Sequence, residues 1–222
     1  MAIDPKWDEI HSRREWGKYP NEHVVAFVMR TFGGVADRES IRVLDLGFGG
    51  GGNLKFLAEQ RFDASGIDGS PHAVTRTDAF LKSWNLQARL VAGDMTDLSM
   101  FADSTFDLVI DVRAMSNVPR TQVSRTVAEV RRVLAPDGFF LTLLYGTGCM
   151  AFQRGTQVEP ETFTNVPEGP FAGIGTVTIY DAPAVRHLLR DFTIVSHHRI
   201  REEEIAGNWA FEDHVVVCRK AQ

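Results

Sequence analysis

Ile41-Arg-Val-Leu-Asp-Leu-Gly-Phe-Gly-Gly-Gly-Gly-Asn53 is the stretch whose reading decides the fold. Ile41, Val43, Leu44 and Leu46 predict a short buried strand, interrupted by one acid, Asp45. Glycines then run from Gly47 to Gly52, broken only by Phe48. Leu54, Phe56, Leu57 and Ala58 follow at the spacing of a helix's inward face. The pattern predicts a strand, a tight turn and a helix whose N-terminus faces whatever the turn cradles. Glycine suits such a turn because side chains would block a ligand's approach to the backbone, and because some turn positions need positive φ. This is a turn of the nucleotide-binding type.

Gly47, Gly49 and Gly52 match the G-x-G-x-x-G spacing of dinucleotide sites. Asp45 argues against a dinucleotide. A pyrophosphate sits over the helix N-terminus in those sites, and a carboxylate two residues before the first glycine repels it. A ligand carrying an ammonium and a sulfonium accommodates that acid. The phrase V-L-D-L-G-F-G-G-G resembles motif I of the class I S-adenosylmethionine-dependent methyltransferases, with Asp45, Gly47, Gly49 and Gly51 supplying its acid-x-G-x-G-x-G. Phe48 stands where many members carry cysteine. The resemblance implies an α/β, Rossmann-like, doubly wound sheet of seven strands with the last antiparallel and helices on both faces. It also implies S-adenosylmethionine as methyl donor.

Further candidates fall at the ends of later strands. F-D-A-S-G-I-D-G-S-P places Asp68 at the end of strand two, where a carboxylate accepts from vicinal ribose hydroxyls. Gly69 and Ser70 join it, with Ser70 and Pro71 also reading as a helix N-cap and first turn. Gly93-Asp94-Met95 resembles the family's adenine site. T-F-D-L-V-I-D-V is a fourth strand that brings Asp111 and Arg113 to the carboxyl edge, as ligand-facing groups or as a pair with one another. A helix over about 121–134, an A-P-D-G turn and a fifth strand ending at Tyr145 come next. Asn53, at the helix entry, completes the cofactor set.

Residues 1–34 read as a helical lid or cap. Trp16 and Tyr19 would fold over the ligand, and His11 lies on the same segment. Val24, Val25, Phe27, Val28 and Phe32 form a core stripe on the helix after Asn21. Residues 146–175 hold three prolines and six glycines with Phe152, Phe163 and Phe171 interleaved, which reads as an inserted substrate loop. Two closing strands, D-F-T-I-V-S and F-E-D-H-V-V-V-C, fit the hairpin that ends the family's sheet.

At 222 residues the chain suits a single domain. A formal charge of −5 supplies no basic footprint for nucleic acid. Cys149 and Cys218 are distant and form no C-x-x-C, the pattern of reduced thiols in a cytoplasmic protein. Apolar runs such as 24–29 are too short to span a bilayer. His197 and His198 are adjacent on a strand and point to opposite faces, so no metal is expected. There is no N-P-P-Y or D-P-P-Y tetrapeptide and no P-C pair. The expected function is methyl transfer to a small-molecule acceptor by a monomer or homodimer. The alternatives are a protein or nucleic-acid acceptor, or a non-catalytic nucleoside-binding protein of the same fold. His11, Asp111, Arg113 and Tyr145 are the candidates for base or substrate anchor.

Overall fold

The computed structural model describes residues 4–14, 17–205 and 209–221. Two helices lead in, α1 (Pro5–Arg13) and α2 (Glu22–Phe32). Asp4 and Asn21 cap them, accepting from Lys6 N and His23 N. The organising unit follows as β1 (Arg42–Leu46), the glycine turn and α3 (Gly52–Glu59). Then come β2 (Asp63–Asp68), α4 (Pro71–Ser83), β3 (Arg89–Ala92), β4 (Phe106–Val112), α5 (Arg120–Val133) and β5 (Leu134–Tyr145). The chain continues with β6 (Thr156–Glu159), β7 (Thr162–Thr164), β8 (Val177–Thr178), α6 (Ala182–Leu188), β9 (Thr193–Glu203) and β10 (Ala210–Arg219).

Seven strands pair in the order β3-β2-β1-β4-β5-β10-β9. The pairs from β3 to β5 are parallel, and β10 runs antiparallel to both β5 and β9. Strand periodicity sorts the core into two layers. Leu44, Val109, Phe140 and Val216 meet α5 through Val123, Val127 and Val130. Val43, Leu108, Ile110, Leu141 and Val215 face the other way, onto Val24 and Val28 of α2 and Leu54 and Leu57 of α3. Each such side chain contributes about 1.5–3 kcal/mol by leaving water. The strand order reverses between β1 and β4, so their carboxyl ends open a crevice there. The doubly wound expectation holds in strand order, direction and layering.

Two peripheral segments carry more order than the sequence suggested. The 146–175 stretch is not an irregular loop. Within it β6 and β7 pair antiparallel, and β7 pairs with β8 beyond it, making a separate three-stranded sheet. Its Phe163, Phe171 and Ile174 build a third apolar cluster with Tyr145 and with Ile10 of α1. Residues 1–34 hold two helices with different packing. α2 is core, with Val24 and Val28 fully buried, whereas α1 alone packs against the inserted sheet.

Candidate active site

β1 delivers Asp45 to the crevice and then breaks at Gly47, where φ is 61°. A Cβ at Gly47 would sit 2.4 Å from that of Ala114, so neither the conformation nor the space admits a side chain. Gly47 N donates to Ile67 O at 2.7 Å and Gly51 N to Phe48 O at 2.9 Å, closing the turn onto α3. Gly52 N donates to Gly17 O, which brings the 17–21 segment against the same helix end. Asn53 links the pieces: its Oδ1 accepts from Asn21 N at 3.0 Å, and its side chain also bonds the Asp45 carboxyl.

Asp45 is 1% exposed, and its Oδ2 has no hydrogen-bond partner. Burial pushes the carboxyl up to about 8, and the Asp111 and Asp68 charges add to the shift. A buried carboxylate oxygen without a donor costs free energy that a cationic ligand would recover. Asp68, at the end of β2, accepts from Gly49 N at 2.9 Å and Ser70 N at 2.8 Å. Burial raises its pKa against the lowering effect of those two bonds. Each oxygen keeps a second lone pair for a ligand hydroxyl. His11 stands over this end from α1, beside Gly49, and burial holds its imidazole below the ordinary value against the opposing pull of Asp68.

These residues line one cavity of about 850 Å³, at the upper end of the ~300–1,000 Å³ usual for small-molecule sites. Asp45, Gly47, Phe48, Gly49, Asn53, Asp68, Gly69, Asp94 and Met95 share its wall with Tyr19, His11, Arg113 and Tyr145. Asp94 Oδ1 takes the Thr96 N–H and hydroxyl, which fixes the turn after β3. Tyr19 stands at the mouth with its side chain 90% exposed. Trp16 lies outside the described residues.

Three expected cofactor residues are not on that wall. Gly51, at φ 77°, faces α4, where a Cβ would meet Thr77 at 2.5 Å. Ser70 is the N-cap of α4 and bonds Asp8 of α1. Asp111 is fully buried behind the turn that follows β4, with one oxygen on Met115 N at 3.0 Å and the other on the Thr142 hydroxyl at 2.6 Å. It is therefore a structural staple, although burial pushes its pKa up to about 6. Nor do Asp111 and Arg113 pair with one another. Arg113 bonds Asp213 of β10 through Nε and Nη2.

In the far half of the cavity, sequence reasoning had Phe171 in the substrate segment and Tyr145 as a candidate anchor, but missed Ile174 and Phe211. Trp7, Phe171, Ile174 and Phe211 form an apolar wall there, drawn from α1, the inserted segment and β10. Tyr145 meets Phe171 and Phe211 edge-on at 5.1 and 5.4 Å. Burial pushes its phenol up to about 12, so it stays neutral.

Residues 43–138 match the model of a methyltransferase domain family. That stretch, less than half of the chain, is similar to a methyltransferase domain. The chain is 35% identical over 99 residues to an uncharacterized methyltransferase of Synechocystis, covering 45% of this chain and 44% of that protein. It is 38% identical over 110 residues to a fatty-acid O-methyltransferase of Mycolicibacterium smegmatis, covering 48% of this chain and 38% of that one. In each case the aligned stretch spans less than half of the relative. A SAM-dependent methyltransferase of Methanosarcina mazei superposes with a TM-score of 0.71 at 23% identity, over 82% of this chain and 93% of that one. That likeness concerns the fold. The methyltransferase match covers β1 through the start of β5, which contributes the acid, the glycine turn and the ends of β2, β3 and β4 to the cavity. It excludes α1, the inserted sheet and β10, the parts that build the apolar half.

The Methanosarcina protein is described as S-adenosylmethionine-dependent, and the residues present here fit that cofactor. The unpartnered Asp45 oxygen suits an ammonium, the acid at the end of β2 suits ribose hydroxyls, and the side-chain-free turn leaves room for close approach. Among the described residues no cluster of His, Cys, Asp or Glu forms a metal site, and no helix is long and apolar enough to cross a membrane.

Proposed function

We propose that the chain transfers a methyl group from S-adenosylmethionine to a small, largely apolar acceptor. The observation that carries this reading is the orphaned oxygen of Asp45, buried at the glycine turn on the wall of a cavity with one polar and one apolar half. In this reading Asp45 and Asn53 hold the amino-acid end of the cofactor. Asp68 and Gly69 take the ribose, and Asp94 and Met95 flank the base. Phe48 and His11 close over the nucleoside. When bound, the cofactor supplies a methyl already activated by a sulfonium.

The protein's remaining work is to align a lone pair and exclude water. α1 serves the second task. Asp4 accepts from Thr176 N and its hydroxyl, while Asp8 accepts from the Ser70 hydroxyl and bonds His72, so the helix is tied across both halves of the cavity. Tyr145, Phe171 and Phe211 serve the first by giving the acceptor an apolar seat. The fatty-acid acceptor of the Mycolicibacterium relative is in keeping with that wall.

The test is release of S-adenosylhomocysteine from S-adenosylmethionine in the presence of a panel of apolar alcohols, phenols, amines, thiols and acids. Turnover with at least one class supports the reading. Tight cofactor binding with no turnover on any class would make the chain a nucleoside-binding protein instead.

A further inference from the structure

We propose that Arg113 anchors the acceptor and that the acceptor is an apolar carboxylic acid, methylated on a carboxylate oxygen. This inference rests on the methyltransferase reading above and narrows its substrate. Arg113 is the first residue after β4 and has φ 67°, the left-handed region that a non-glycine residue occupies only under constraint. Its backbone is held there on both sides. Arg113 N donates to Leu143 O at 3.0 Å, and Asn117 Nδ2 donates to Arg113 O at 2.7 Å. This conformation accompanies a side chain lodged on the cavity wall.

The guanidinium is anchored along one edge only. Nε lies 3.0 and 3.1 Å from the two oxygens of Asp213, Nη2 completes the fork, and the plane rests 4.6 Å over the Phe211 ring. Asp213 itself is nearly inaccessible. Nη1 makes no hydrogen bond with a described residue, yet it is not among the buried unpartnered atoms. Nη1 is thus the guanidinium nitrogen left for a ligand, on a residue that lines the cavity. A planar guanidinium clamped on one edge is pre-organised for an oxygen ligand on the other. Asp213 balances its charge, so Nη1 can position a carboxylate while withdrawing less from its lone pairs than a bare cation would. The body of such an acceptor lies against Tyr145, Phe171, Ile174 and Phe211. Phe171 and Phe211 stack there at 5.6 Å and 5°.

Proton inventory points the same way. A hydroxyl acceptor needs a base, and three titratable groups around the apolar half are unsuited to that task, which leaves the exposed Glu202 carboxylate beside Phe211 on that part of the described wall. Burial pushes Tyr145 up to about 12, and Asp213 is committed to Arg113. Cys149 is also raised to about 12, with its thiol donating to Glu212 O. His11 stands at the nucleoside end. A carboxylate, with an ordinary pKa of about 4, arrives with its lone pair free. One carboxylate oxygen forms the new O–C bond as the methyl C–S bond breaks. The electron pair of that bond stays on sulfur, so the sulfonium becomes a thioether. The acid becomes its methyl ester, and no proton moves.

The experiment is calorimetric titration of the protein saturated with S-adenosylhomocysteine. Octanoate and phenylpropanoate are compared with octanol and phenylpropanol. The acids should bind at least about tenfold tighter. Arg113→Gln should erase that preference while S-adenosylhomocysteine affinity stays within about threefold. Because a lone buried Asp213 can unfold that variant, the double variant Arg113→Gln/Asp213→Asn removes both charges and should show the same loss. Alcohols that bind the wild type as tightly as acids would overturn the inference, as would a double variant that keeps the acid preference. Failure to bind S-adenosylhomocysteine at all would instead sink the methyltransferase reading, and this inference with it.

Discussion

Replacing Asp45 with asparagine should make the free protein more stable and its cofactor binding worse. Asp45 is fully buried and its pKa rises from 3.8 to about 8. The folded state therefore holds a proton at neutral pH that the unfolded chain has released. For an acid shifted in this direction, stability is fully present below about pH 4 and is lost as pH rises towards 8. The slope is about 1.4 kcal/mol per pH unit, so at pH 7 the wild type has given up as much as ~4 kcal/mol. Asparagine keeps an oxygen for the Asn53 bond and never ionises. Its amide N–H group, placed where Oδ2 now lacks a partner, returns about 1–3 kcal/mol of that gain.

The net expectation for Asp45→Asn is a stabilisation of roughly 1–3 kcal/mol at pH 7, a rise in melting temperature of about 2–12 °C. The advantage should shrink towards pH 4, where the wild type is protonated in both states. S-adenosylhomocysteine affinity should fall by about 1.5–3 kcal/mol for loss of a charge-assisted contact. Scanning calorimetry of both proteins across that pH range, with isothermal titration at pH 7, reads all three effects. A variant that melts below the wild type at pH 7 with an unchanged pH slope would refute the reasoning, because Asp45 would then be ionised and stabilising without its ligand.

Asp68→Asn should cost S-adenosylhomocysteine affinity more than tenfold, about 1.5–3 kcal/mol. It should also lower the melting temperature, since Asp68 accepts the Gly49 and Ser70 N–H groups that set the turn and α4; undiminished affinity in titration would remove Asp68 from the ribose site. Asp111→Ala should destabilise the protein by about 2–4 kcal/mol, because it strands the buried Thr142 hydroxyl and Met115 N–H. Denaturant melts check that, and a loss of cofactor affinity without loss of stability would restore Asp111 to the binding set. Tyr145→Phe should leave the pH profile of kcat flat between about pH 6 and 9, as befits a neutral phenol that moves no proton; a lost ionisation in that window would make it a base. Hydrogen exchange should show α1 gaining protection on S-adenosylhomocysteine binding while α2 stays unchanged, and an indifferent α1 would mean that it is fixed packing.

What was legible in the sequence is what local chemistry dictates. The Asp45–Asn53 phrase specified strand, turn and helix because glycine spacing and an apolar run leave few alternatives, and the ends of β2 and β3 followed from acids placed at or just past the ends of short strands. The apolar half of the cavity was legible only in Phe171 and Tyr145, because the rest is assembled from residues far apart in sequence. Arg113 and Asp213 meet only because β4 and β10 flank β5. Asp111 shows the same limit. Its position at the end of β4 was read correctly, but its oxygens are taken by Thr142 on the neighbouring strand and by the turn that follows. The 146–175 segment looked loop-like because glycine and proline punctuate it. Its short strands gain stability only by pairing with β8 and packing on Tyr145 and Ile10, contacts that no local pattern encodes.

The central claim is that the acid at the glycine turn selects a cationic nucleoside. Isothermal titration of the wild-type protein with S-adenosylmethionine, S-adenosylhomocysteine and NAD tests it most directly. The account predicts one saturable site for the first two ligands, no heat from NAD, and a site weakened by about 1.5–3 kcal/mol in Asp45→Asn. Binding of NAD with neither sulfur nucleoside detected would contradict it.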